Sequence, residues 1–131
     1  VPFTWLNSVR GIVMAMHGAR HAIALDAPPQ VDPASFLRRG LTTGIAVRGS
    51  DAAEVEATLM AAPRGLGGRR LHVAAARARV EGPGEVVVTL RPNRRARLLL
   101  GLAEGADALL RVRAVDRDGH ATIGSTPVAL R

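Results

Sequence analysis

The chain has no cysteine, no lysine and no tyrosine, and aromatic residues fill only 2% of its 131 positions: Phe3, Phe36 and Trp5. Without cysteine there is no disulfide, no thiolate nucleophile and no thiolate metal site. Without tyrosine, and with one tryptophan, the chain lacks the aromatic platforms on which sugar rings and unpaired bases stack. Its core has to be built from Val, Leu, Ile and Ala, which pack well only in thin, regular layers. No apolar run is long enough for a membrane-spanning helix. The longest near the start, "GIVMAM" (11–16), is too short for the apolar part of a secretory leader and is followed by His17 and Arg20. A leading Val1 in place of Met fits either a fragment of a longer chain or an alternative start codon translated literally.

Hydrophobic residues make up 47% of the chain, enough for one domain with a real core. All 18 basic residues are arginine and the formal charge is +7. Arginine in place of lysine, with abundant Ala, Gly and Val, is the signature of a GC-rich genome. The charge is uneven. Residues 61–100 carry Arg64, Arg69, Arg70, Arg77, Arg79, Arg91, Arg94, Arg95 and Arg97 against Glu81 and Glu85, which accounts for the whole excess. A basic middle of this kind attracts nucleic acid, acidic polysaccharide or an anionic membrane surface.

Residues 1–27 show no clean period apart from a strand-like "HAIAL" (21–25), and "DAPPQVDP" (26–33) reads as a linker. From residue 41 the period is 2, with turns between the runs. The runs are "LTTGIAVR" (41–48), "AEVEATLM" (53–60), "RRLHVAAARARV" (69–80) and "EVVVTLR" (85–91), separated by "GSD", "APRGLGG" and "EGPG". In "PNRRARLLLGLAEG" (92–105) the period changes: Ala96, Leu99, Leu100 and Ala103 share one helical face, opened by Pro92 and stopped by Gly105. "ALLRVRAVD" (108–116) and "HATIGSTPVALR" (120–131) return to period 2, with Gly124 and Pro127 marking a bulge or an edge. About seven short strands at this spacing predict an all-β, seven-stranded antiparallel Greek-key sandwich with one short helix between strands five and six. The domain reading is 28–131, preceded by a segment 1–27 that is either the remnant of an upstream region or an extra strand.

The run "FLRRGLTTGIAV", "AEVEATL", "GEVVVTLRPNRRARLLL", "LLRVRAVDRDGHAT" and "PVAL" resembles immunoglobulin-like and fibronectin-III-like accessory modules of secreted or surface proteins from GC-rich bacteria. The resemblance covers about residues 28–131. It implies a non-catalytic extracellular unit, a spacer or adhesion module beside another domain, with no cofactor and a secreted or cell-surface location. Many such modules carry a cysteine pair in their early strands, and this chain has none.

Other motifs weigh less. "RGLGGRR" (64–70) lacks the Lys-Ser/Thr of a phosphate loop and the spacing of a dinucleotide fingerprint. His17 and His21 are four apart, but Gly18, Ala19 and Arg20 lie between them, unlike a zinc helix, and His72 and His120 are distant in sequence. Ser8, Ser35, Ser50 and Ser125 sit in no nucleophile turn. Glu54 and Glu56 fall on one outward strand face, where solvation alone asks for them. "DRDG" (116–119) tempts a metal reading, yet no acidic residue follows Asp118, so the third ligand and closing glutamate of a calcium loop are missing. It reads instead as a hairpin turn, with Asp116 bonding the turn backbone and Gly119 at positive φ. On that reading Gly119→Val destabilises the fold and Asp118→Asn is nearly silent. What remains is the nine arginines of 61–100 as anion contacts, to an acidic surface polymer or to neighbouring domains of the parent chain. The alternatives are a basic nucleic-acid-binding domain and the C-terminal fragment of a secreted enzyme.

Overall fold

The computed structural model describes residues 11–12, 22–48, 52–65, 69–81, 84–102 and 105–131. Trp5, His17, His21, the 49–51 turn and the glycines of 66–68 lie outside these residues. In chain order the elements are β1 (Gly11–Ile12), β2 (Ala22–Asp26), β3 (Gln30–Val31), α1 (Pro33–Arg39), β4 (Leu41–Arg48), β5 (Ala53–Pro63), β6 (Leu71–Val80), β7 (Gly84–Pro92), α2 (Arg94–Leu102), β8 (Ala106–Asp116) and β9 (Ala121–Leu130).

Among the described residues the fold is all-β, with two helices. The strands hydrogen-bond in the order β1-β2-β4-β7-β6-β5-β8-β9-β3. This corrects the expected two-sheet, seven-stranded Greek-key arrangement. There is one continuous mixed sheet, because β3 runs parallel to β9 while every other pairing is antiparallel. The sheet is hinged where β6 meets β7 through only two residue pairs, Ala74–Pro92 and Ala75–Arg91. A twisted sheet this wide curls on itself, and here the curl brings β9 against β1 and β2.

Alternation places the core inside the curl. β5 turns Ala53, Val55, Ala57, Leu59 and Ala61 inward, and β8 turns Ala106, Ala108, Leu110, Val112 and Ala114 inward. The two strands pair without interruption from Ala53–Asp116 to Pro63–Ala106. β6 departs once from this regularity. Leu59 pairs with Ala74 and Met60 with His72, so Val73 is an extra residue in the ladder, and Val73 and Ala74 are both buried. This bulge frees the Val73 carbonyl, which accepts the Asn93 N–H at 2.9 Å.

Two helices close one end of the curl. The expected helix after β7 is α2, begun by Asn93 rather than Pro92: Asn93 Oδ1 accepts the Ala96 N–H at 2.7 Å. It packs on β6 and buries Ala96 and Leu100. The other helix, α1, corrects the linker reading of 26–33. Asp32 caps it by accepting the Ser35 N–H at 3.0 Å, Pro33 opens it and Gly40 ends it. α1 packs against α2 and β7 and buries Phe36 completely. The paired prolines do keep out of the ladder, but Gln30 and Val31 beyond them pair with Ala129 and Leu130, and Pro29 accepts the Ala129 N–H at 2.9 Å. β2 also pairs with β4 through all five of its residues.

Candidate anion-binding surface

Strand direction decides where each charge goes. β4, β6 and β8 start, and β5, β7 and β9 finish, at the end closed by the helices. Six of the arginines singled out from sequence belong to this end on exposed positions or segments. Arg64 follows β5, Arg69 and Arg70 lead into β6, and Arg94, Arg95 and Arg97 stand on α2. Arg91, in the last pair of residues of β7, joins them.

Three further arginines arrive from outside residues 61–100. Arg38 and Arg39 form the last turn of α1, which packs against α2. Arg131 follows β9, and its guanidinium lies 3.8 Å from Asp107, as does that of Arg64. Sequence reasoning missed these three because it counted charge along the chain. The only signal was that Arg38 and Arg39 precede a strand start and Arg131 follows a strand end, the two places that topology superimposes.

Arg77 and Arg79 leave the set. They project from the second half of β6 onto the outer wall, where the register puts them opposite Glu56 and Glu54 on β5. Arg77 lies 3.1 Å from Glu56, and Arg79 lies 2.7 Å from Glu81 and 3.8 Å from Glu54. On the other side of β5, Arg111 and Arg113 of β8 face Thr58 and Glu56. Cross-strand pairs of this kind are what a solvated sheet face selects. The wall is therefore nearly neutral, and the helix-capped end holds ten arginines against Asp32 and Asp107 among the described residues.

The opposite end holds "DRDG". Asp116 is the last inward residue of β8, with its side chain fully buried. One carboxylate oxygen, Oδ1, accepts the N–H groups of Asp118 and His120, each at 2.9 Å. The Gly119 N–H donates to the Asp116 carbonyl at 3.1 Å, and Gly119 has φ +83°. This is the hairpin turn expected from sequence. It also draws Asp116, Asp118 and His120 together, with one ligand-type atom from each within 4.8 Å of the others, and His120 Nδ1 lies 3.5 Å from Asp116 Oδ2. The two bonds from Oδ1 to the Asp118 and His120 N–H groups hold the three residues in one turn, and that accounts for the convergence. His72 is at the other end of the molecule, where its carbonyl accepts from Asn93 Nδ2 at 2.8 Å.

A hollow of about 480 Å³ on the outer wall is lined by Asp26, Thr42, Gly44, Glu85 and Val87 among others. Its two carboxylates disfavour the anions that the helix-capped end attracts.

No protein-family model matches the chain, and no curated protein matches it.

Proposed function

We propose that the chain is a non-catalytic accessory module of a larger secreted or surface protein and that it contacts anionic polymer through the arginines of its helix-capped end. The observation that carries this reading is the segregation of charge, with ten arginines around α1, α2 and the adjoining strand ends and a wall on which Arg77 and Arg79 are paired with glutamates. Guanidinium forks pair with phosphate and carboxylate groups in two-point geometry. The non-catalytic and extracellular parts are supported by the resemblance of residues 28–131 to immunoglobulin-like accessory modules.

The test is retention of the 131-residue chain on immobilised inorganic polyphosphate, eluted with a sodium chloride gradient. Binding through several arginines falls steeply with salt. Replacing Arg94, Arg95 and Arg97 together by Ala lowers the eluting salt strongly, while replacing Arg77 and Arg79 changes it little. Equal losses from the two sets, or no retention of the unaltered chain at low salt, would refute the reading.

A further inference from the structure

The basic end is not uniformly polar. α2 has nine residues, and the face turned away from Ala96 and Leu100 carries Arg94, Arg95, Arg97 and Leu98. Leu98 is 67% exposed, one of two large aliphatic side chains so exposed among the described residues. It lies one helical turn from both Arg94 and Arg95, so the three share a surface strip. The neighbouring α1, which packs against α2, carries exposed Arg38 and Arg39 in its last turn. A soluble polyanion has use for the arginines and none for an exposed leucine. An anionic bilayer uses both: headgroup phosphates pair with the guanidiniums, and the leucine enters the boundary between headgroups and acyl chains.

We propose that the α1–α2 end docks flat on an anionic lipid surface, with Leu98 as the inserted residue and Arg38, Arg39, Arg94, Arg95 and Arg97 as the phosphate contacts. The inference rests on the reading of this end as the anion-binding surface and names its partner. Charge complementarity chooses the occupant, since the patch has five arginines on two adjacent helices and no acidic residue in the first turn of either. The long arginine stems lie along the interface while their heads reach phosphate. Each arginine near such a surface strengthens binding by about fivefold, and the dependence on charge is lost as salt is added.

The experiment measures co-sedimentation of the 131-residue chain with three partners at equal, low ionic strength. These are phosphatidylcholine vesicles, vesicles in which part of the lipid is phosphatidylglycerol, and inorganic polyphosphate read by a gel-shift assay. The expected result is binding to the phosphatidylglycerol vesicles and to polyphosphate, and none to pure phosphatidylcholine. Leu98→Ser should weaken vesicle binding by about fivefold, the loss of a partly inserted leucine, with polyphosphate binding unchanged. Arg94→Ala/Arg95→Ala should weaken both. Leu98 and both arginines are exposed, and an unchanged far-ultraviolet circular dichroism spectrum with cooperative melting of each variant shows that the fold is kept. Binding to polyphosphate but not to phosphatidylglycerol vesicles overturns the lipid inference and leaves the anion-binding reading intact, as does an unchanged vesicle affinity in Leu98→Ser. Binding to neither partner overturns both.

Discussion

Gly40 and Gly119 have nearly the same backbone angle, φ +78° and +83°, and very different surroundings. A Cβ on Gly40 would sit 2.5 Å from the Leu90 carbonyl oxygen, whereas a Cβ on Gly119 would meet nothing within 4 Å. Gly119→Ala therefore costs only the strain of a left-handed alanine, about 1–2 kcal/mol. Gly40→Ala adds a collision with the backbone of β7 and should cost about 3 kcal/mol or more. Urea unfolding midpoints of the two variants separate the terms, and equal losses would show that α1 does not approach β7 so closely. Asp116 gives a second residue-scale contrast. Asp116→Ala removes the acceptor of two N–H bonds at the hairpin and should cost about 2 kcal/mol. Asp116→Asn keeps an oxygen in that place and should cost clearly less, as read by the same midpoints.

At the scale of elements, Asn93 adds to the packing of Ala96 and Leu100 the hydrogen bonds that tie the start of α2 to the sheet. Asn93 caps the helix through Oδ1, donates from Nδ2 to the His72 carbonyl and donates its backbone N–H to the Val73 carbonyl. Asn93→Ala keeps only the last of these bonds and should lose about 1–2 kcal/mol. Native-state hydrogen exchange should rise first at the amides of α2, and a uniform rise over all strands would count against a local anchor. The strands β4 to β9 and α2 were legible in the sequence because each keeps its period for seven residues or more, as in Ala53–Pro63 or in Ala96 and Leu100, whereas the two-residue β1 and β3 are too short to show one. α1 was not, because seven residues are too few for a period to emerge; only its ends spoke, with Asp32–Pro33 before it and Gly40 after it, and the adjacent prolines drowned them out. The Val73 bulge was equally hidden, since it is a property of the pairing with β5 and not of β6 alone. Single-sheet connectivity was out of reach for the same reason. Period 2 reports which face is buried and leaves open which strand lies alongside. The DRDG hairpin was readable because all its bonds are local.

At the scale of the whole molecule, the arrangement of charge sets the sign of a salt effect. Two unit charges about 10 Å apart in water repel by about 0.4 kcal/mol at low salt, and folding gathers ten arginines at one end from five stretches of the chain. The opposing contribution is small: the wall pairs Arg77–Glu56, Arg79–Glu54 and Arg79–Glu81 are all exposed, and such pairs are worth about 0–1 kcal/mol each and also weaken with salt. Repulsion among ten like charges outweighs these three attractions and the two exposed ones of Asp107 with Arg64 and Arg131, so screening should stabilise the fold. The melting temperature should rise on going from low salt to about 0.3 M sodium chloride, by roughly 4 °C if the net gain is about 1 kcal/mol. Replacing Arg94, Arg95 and Arg97 by Gln should raise the low-salt melting temperature and flatten this dependence, because it removes repulsion and leaves the wall pairs in place. Glu54→Gln/Glu56→Gln should do the reverse, leaving the wall arginines unbalanced and making the chain more dependent on salt. A melting temperature that falls with salt in the unaltered chain would mean that the wall pairs dominate, and that the arginines of the helix-capped end stand too far apart to act as one surface.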